Sequence, residues 1–420
     1  MSTGLVIWLV LSTTVTLVWL SRHVEVSRVL RDQRPLSPDS YGPIAADAPR
    51  VSILVAAKDE EANIETCVRT LLEQDYPDFE VIAANDRSRD RTGAILDNLA
   101  RQYPDRLTVV HVESLPEGWF GKNHAMRQGV ARATGEWLLF VDADCRQVSR
   151  RSLAVAMQDA VARGVAFISV MPVLETRSFW ERVIQPVCGA VMALWFNPRN
   201  VNDPTHSAAY ANGAFMLMTR ANYDAIGGHD AVRTELNEDI QMARLTKRLG
   251  RGLYVARNDG LYVTRMYASL GEAWRGWSRI FFGSFRSFRR LLISIIVLVV
   301  MSIMPFAALI GCAVGWLLSD QESERLWMPA LVSAAVLVLT LESVIYRLMK
   351  MLQTPRWTWI TYPLGAVLAL GMLTSAMTKY AGAATTWRGT TYRGDARTDP
   401  VEPAAKPTAK PPARPATDVA

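Results

Sequence analysis

The sequence predicts an α/β domain with a mostly parallel sheet, joined to transmembrane α-helices. Three observations predict it. Short β-branched runs alternate with helical stretches from residue 51 onward. Three long apolar segments follow residue 290, and another opens the chain. Basic residues crowd the edges of those segments, which points to a membrane surface. The 420 residues carry 46 Lys+Arg against 40 Asp+Glu, a net charge of +6; half are hydrophobic and 20% are charged. A wholly disordered chain needs the opposite balance. The basic residues form no single patterned stripe, so nucleic acid is not an expected partner. Cys67, Cys145, Cys188 and Cys312 lie far apart with no CxxC, which argues against a disulfide framework or a structural zinc site.

Residues 1–21 carry no charged side chain, and Arg22, His23, Arg28, Arg31 and Arg34 follow. There is no basic n-region and no small-residue cleavage site, so the segment reads as a signal anchor with its flank in the cytoplasm. Residues 22–49 are that flank and a Pro/Ser/Asp linker. The soluble domain spans 50–290. Strands are expected over 51–57, 80–85, 107–111 and 137–141, and helices over 62–74, 92–103 and 123–134. This alternation implies right-handed βαβ units. Ligands then sit at the C-terminal ends of the strands. Residues 291–318, 326–346 and 357–378 each exceed the roughly 18 apolar residues of a membrane segment. Arg286, Arg289 and Arg290 place the start of the first inside, Asp320–Arg325 reads as outside, and Arg347, Lys350 and Arg356 return the chain inside. The 379–420 tail is expected to be disordered from about 394. Parity puts that tail outside, yet Trp387–Arg393 is basic. Either the last segment is re-entrant or the positive-inside bias is overruled.

The chemistry concentrates after the strands. Asp142 and Asp144 end the fourth strand one residue apart, and on an extended strand they would face one side. Such hard oxygen ligands suit Mg²⁺ or Mn²⁺. Asp59, Glu60 and Glu61 follow the first strand. They could meet a base or ribose, or serve as N-terminal carboxylates of a helix. Asp86, at the tip of the second strand, can meet a nucleotide base, and Asp90 is a helix-cap candidate. Gly118-Trp-Phe-Gly-Lys122-Asn123 opens the third helix, where Lys122 suits a diphosphate or lies in a plain surface turn. Asp239 follows Glu238 at a helix start, as a general base or as an acidic N-terminus. His229 is read as structural. Arg275 and Arg279 could clamp a diphosphate, while Trp274 and Trp277 fit an interfacial belt.

Taken in order, Val51–Ala57 with Asp59–Ile64, Asn85–Thr92, Asp142-Ala-Asp144, Asn212-Gly-Ala214, Gly227-Gly228 and Glu238-Asp239 resemble a family 2 glycosyltransferase of the GT-A fold, with its Rossmann-like sheet. Gly118–Asn123 and Trp387–Tyr392 narrow the resemblance to the membrane-anchored branch associated with carotenoid and hopanoid lipids. The resemblance implies that Glu60 and Asp86 hold the nucleoside, uridine, of a nucleotide-diphosphate sugar. It implies that Asp142 touches ribose or metal, that Asp144 binds the metal on the diphosphate, and that Asp239 deprotonates the acceptor with inversion. Lys122, Arg275 and Arg279 are softer diphosphate candidates. The QxxRW motif of processive synthases is absent: the region reads Arg275-Gly-Trp-Ser-Arg279. A single transfer to a lipid or lipid-linked acceptor at the cytoplasmic membrane face is therefore expected. A polysaccharide synthase, a non-catalytic scaffold that binds nucleotide sugar, and a nucleotidyltransferase are the alternatives.

Overall fold

The expected alternation folds into a seven-stranded sheet in the computed structural model, which describes residues 3–381, 385–387, 390–393 and 396–397. Helix α1 (Thr3–Asp32) opens the chain. Then come β1 (Val51–Ala57), α2 (Ile64–Leu72), β2 (Phe79–Asp86), α3 (Thr92–Gln102), β3 (Leu107–Val112), α4 (Gly121–Val130) and β4 (Trp137–Asp142). The second half adds β5 (Cys145–Gln147), α5 (Ser152–Arg163), β6 (Phe167–Val170), β7 (Val173–Leu174) and α6 (Phe179–Trp195). Short helices α7 (Pro198–Asn202), α8 (Arg220–Ala225) and α9 (Gly228–Ala231) flank β8 (Met216–Thr219), and α10 (Glu238–Arg248), β9 (Leu253–Ala256), β10 (Tyr262–Thr264) and α11 (Leu270–Phe285) complete the domain.

The sheet runs β3-β2-β1-β4-β8-β6-β9. β1, β2, β3 and β4 are parallel, β6 and β9 are parallel, and β8 alone in this sheet runs against its neighbours. The order turns between β1 and β4, so the loops after β1, β2 and β4 open at a switch point where α/β sheets bind ligands. β1 and β4 are almost continuously buried, because helices cover both faces of a parallel sheet. β5 leaves this layer to pair antiparallel with β10, and β10 pairs with β7.

The Pro-rich linker is ordered. Leu36 N donates to Arg257 O at 2.8 Å, and Asp259 N donates to Leu36 O at 2.8 Å. Tyr41 OH donates to Asp159 of α5 at 2.7 Å. The strap fixes the end of α1 against the loop after β9.

Among the described residues, four helical stretches are long and apolar enough to cross a membrane: Thr3–Asp32, Phe288–Leu317, Arg325–Met351 and Trp357–Thr378. The second is α12 (Phe288–Leu298), a π-helical turn at Val299–Ile303, and α13 (Met304–Leu317). Pro305 has no N–H for the carbonyl of Met301; the Trp19 indole donates to that carbonyl at 2.9 Å. The third stretch is α14 (Gln321–Met351), which runs parallel to α1: Trp8 donates to Ser333 at 2.8 Å and Arg347 to Ser27 at 2.8 Å. The fourth is largely α15 (Tyr362–Thr378). Its first residue, Tyr362, bonds Ser302 midway along the second stretch. Just beyond its end, Tyr380 packs edge-on against Phe282 and Phe288, where that stretch begins. α15 thus runs back toward the α/β domain. Of the tail expected to be disordered from 394, only residues 396–397 are among the described residues, and they pair with Tyr392 and Arg393.

Candidate active site

The loops after β1, β2 and β4 meet the start of α10 in one cavity of about 880 Å³. Asp142 ends β4, but Asp144 does not extend it. The chain turns at Ala143–Asp144 into β5, so the expected same-face strand argument is replaced by a turn. Both carboxylates still line the cavity. Thr264 of β10 donates to Asp144 Oδ1 at 3.1 Å. Burial, with the charges of Asp142 and Glu60 added, pushes the Asp144 carboxyl up to about 7.

Lys122 sits in the first turn of α4. Its Nζ lies 2.6 Å from Asp142 Oδ1 and 2.6 Å from Glu238 Oε1. Burial pulls its pKa down, but the two carboxylates outweigh that and hold the ammonium well above its ordinary value. Lys122 therefore bridges the β4 carboxylate to the α10 carboxylate. Phe120 N donates to Arg233 O at 2.8 Å and Asn123 Nδ2 to Val232 O at 2.7 Å, which dock this turn on the segment before α10.

Asp239 lies in the first turn of α10. Its Oδ2 accepts from Gly213 N at 2.9 Å, and its Oδ1 from Ile240 N at 2.7 Å. Burial and then the Glu238 charge raise its carboxyl to about 7, against Lys122 and the two backbone donors. A carboxylate poised there suits proton abstraction near neutral pH. Gly213 fits closely here: a Cβ would stand 3.1 Å from Lys122 Nζ and make ordinary contact, at 3.6 Å, with Asp239 Oδ2. Tyr210 lines the cavity too; burial, then the charge of Asp239, pushes its phenol well above the ordinary value.

Glu60 and Asp86 stand at the tips of β1 and β2 on the same cavity wall. Asn63 Nδ2 donates to Glu60 at 2.9 Å, and Arg87 grips Asp86 at 2.8 and 3.1 Å. A Cβ at Gly121 would collide with Asp86, so that glycine lets α4 start against the Asp86 carboxylate. Asp59, Glu61 and Asp90 instead lace the two loops together: Asp90 accepts from Thr92 N and Glu61 N, and Glu61 from Arg91 N. Arg275 and Arg279, one turn apart on α11, line the cavity. His229 is buried; burial and Lys122 drive its pKa down to about 3, and Tyr223 OH lies 2.9 Å from Nδ1. It is a neutral core histidine.

The donor set fits a divalent cation. Asp142 and Asp144 are oxygen ligands one residue apart on the cavity lining, and the ionised form of Asp144 is destabilised. Among the described residues no cluster of three or more His, Cys, Asp and Glu is placed to hold a metal. Any further ligands would come from substrate oxygens or water.

Sheet order and switch-point carboxylates are those of a transferase of the GT-A type, and a helical segment of membrane length stands on each side of the domain. The chain belongs to glycosyltransferase-like family 2, which it matches over residues 49–270. The 4,4'-diaponeurosporenoate glycosyltransferase of Staphylococcus aureus is 27% identical over 230 residues, 53% of this chain and 59% of that protein. The match thus spans less than two thirds of that relative. Among solved structures, the mannosyltransferase PcManGT from Pyrobaculum calidifontis, in complex with GDP-Man and Mn²⁺, superposes with a TM-score of 0.52 at 20% identity. The superposition covers 89% of this chain and 99% of that one, and shows the shared fold.

Sequence reasoning missed Thr264 and Tyr210. Each contributes a lone hydroxyl with no motif around it, brought to the site by β10 and by the loop before β8.

Proposed function

We propose that the protein is an inverting glycosyltransferase that moves a sugar from a nucleotide-diphosphate sugar, a UDP-sugar, to a lipid or lipid-linked acceptor at the cytoplasmic membrane face. One observation carries this reading. A single cavity is lined by Asp142, Asp144, Lys122 and Asp239, and also by Val29 of α1 and Leu348 of α14, two membrane-length helices. The basic ends of α1 and α14 lie on the domain's side, as the positive-inside rule requires of a cytoplasmic domain. On this reading the chain divides into an anchor over 1–21, a flank and linker over 22–49, a catalytic domain over 50–290 and membrane segments after 291.

Glu60 and Asp86 bind the nucleoside, and Arg275 and Arg279 meet the diphosphate. Asp142 and Asp144 would hold Mg²⁺ or Mn²⁺, which supplies charge neutralisation for the leaving diphosphate. Lys122 keeps Asp142 and Glu238 in place. Asp239 takes the proton of the acceptor nucleophile as its oxygen bonds the anomeric carbon and the bond from that carbon to the diphosphate oxygen breaks. One displacement inverts the configuration.

The test is nucleotide release by detergent-solubilised protein given Mn²⁺, membrane lipid and a panel of nucleotide sugars. Lipid-stimulated release of a nucleoside diphosphate from one donor is expected. Asp239→Asn should lower kcat by about 10²–10⁴-fold while donor binding survives. Loss of both would make Asp239 a structural residue.

A further inference from the structure

Four arginines gather where α11 ends and the second membrane-length stretch begins. Arg244 and Arg248 lie one turn apart on α10, and Arg286 and Arg290 straddle the start of α12. None of the four lines the catalytic cavity. Arg244 Nη2 donates to Ser284 O, a carbonyl in the last turn of α11, at 3.3 Å. With the Gln241 amide oxygen turned toward them, Arg244 Nη1 donates to it at 2.8 Å and Arg286 Nη1 at 2.9 Å. That Arg286 nitrogen also pairs with Glu235 Oε1, at 2.8 Å. Arg290 lies over the Trp195 ring, 5.3 Å from its centre.

The charges in this group do not cancel. Among the described residues its one salt bridge is that from Arg286 to Glu235. Burial, then Arg290 and Arg286, pull the Arg244 guanidinium below its ordinary pKa; Glu235 opposes them and Arg248 adds to the fall. Helix capping does not account for the group. Arg286 is the C-cap of α11 at φ 48°, a left-handed position that favours glycine, so its side chain is kept there at a backbone cost. Nor does the positive-inside bias, which acts within about 20 residues of a span. Arg244 and Arg248 belong to the α/β domain and lie further than that from α12 in sequence. Beyond the arginines Phe288, Leu292 and Ile296 are exposed and share one face of α12, so bilayer hydrocarbon meets the helix there.

We propose that Arg244, Arg248, Arg286 and Arg290 bind the phosphate of a net-negative phospholipid in the leaflet beside the α/β domain, with its acyl chains against α12. A phosphodiester supplies the anionic oxygens that the group lacks, and guanidinium forks grip such oxygens in pairs. Free phosphate carries the same oxygens without the chains, and the apolar face of α12 selects the lipid. This lipid is a ligand of the domain's membrane-side surface. It is not consumed, and it is separate from any acceptor in the catalytic cavity.

Native mass spectrometry of the full-length protein, released from detergent after titration with dioleoyl phosphatidylglycerol or dioleoyl phosphatidylcholine, counts bound lipids and gives their affinities. One phosphatidylglycerol per protein is expected to bind about tenfold or more tighter than phosphatidylcholine. Removing two arginines, in an Arg248→Gln/Arg290→Gln protein, should weaken it about thirtyfold. An Arg22→Gln/Arg28→Gln protein loses the same charge from the flank of α1 and should bind like wild type. Equal weakening in the two double variants, or phosphatidylcholine binding as tightly as phosphatidylglycerol, overturns the site. Displacement of phosphatidylglycerol by inorganic phosphate at equal molar amounts overturns the lipid as its ligand. Lipid-free thermal melts check that the double variant folds. Should it not, Arg248→Gln alone, at an exposed position in the last turn of α10, should lose about fivefold, and unchanged binding there overturns the proposal.

Discussion

Lys122→Met removes the charge that pairs with two carboxylates and faces a third. In the wild type the ammonium touches Asp142 and Glu238 at 2.6 Å each, and it opposes the upward shift of Asp239. The Glu238 side chain is 6% exposed, so it cannot turn to water for relief. Deleting one partner of a buried pair typically costs about 3–5 kcal/mol. That is a large share of the roughly 5–15 kcal/mol by which a domain is stable. The sign with pH follows from Asp239. Its native pKa is raised, to about 7, so the folded chain holds a proton that the unfolded chain has released. Stability from this group is therefore full below the ordinary carboxylate range and is lost as pH rises toward 7. Without Lys122 that loss should deepen and extend above neutrality. Thermal melts of the detergent-solubilised variant across pH should show a deficit that grows with pH and shrinks in acid. The acid limb of its kcat profile should move to higher pH, because Asp239 ionises later. A Lys122→Met protein that melts like wild type at about pH 8, with an unmoved acid limb, would refute the compensating-charge argument.

Asp144→Asn should remove the Mn²⁺-induced rise in melting temperature and the metal dependence of nucleotide binding. The metal-free protein should melt no lower, since a buried charge has gone; unchanged affinity in Mn²⁺ counts against the assigned role. The four native cysteines are buried, so an Ala420→Cys protein reports the side of the tail. An impermeant maleimide should label it in inverted vesicles and not in intact cells.

The ends of the parallel strands were legible because β-branched runs and switch-point carboxylates share one local pattern. β1 and β4 begin where expected, and β2 starts one residue earlier, at Phe79. Asp142 and Asp239 were legible as motif residues, but their connection was not. It passes through Lys122, a residue of α4 between β3 and β4, and pairing across three segments leaves no periodic trace. The extended-strand argument for Asp144 failed because a turn intervenes. β5 departs there to pair with β10, a contact between residues distant in sequence that no local propensity encodes. Thr264 reaches Asp144 by that same pairing. The site was thus readable where chemistry lies in one segment and opaque where the fold assembles it.

The parity conflict illustrates the same limit. Hydropathy sees that 357–378 is long enough to cross, but it cannot see where the segment starts. Tyr362 meets Ser302 halfway along the second membrane-length stretch, and Tyr380 reaches Phe288 at that stretch's domain-side end. The helix therefore begins beside the middle of that stretch and ends at its domain-side end. The close approach of Gly365 to the Val183 carbonyl of α6 shows what holds it: the segment packs on the domain's own helix. Packing buries Gly365, Ala366 and Ala369 while Leu364 and Val367 stay exposed, so apolar length here reports burial against protein in part. A re-entrant α15 would put the basic residues at 387–393 on the domain's side, and the positive-inside rule would then need no exception.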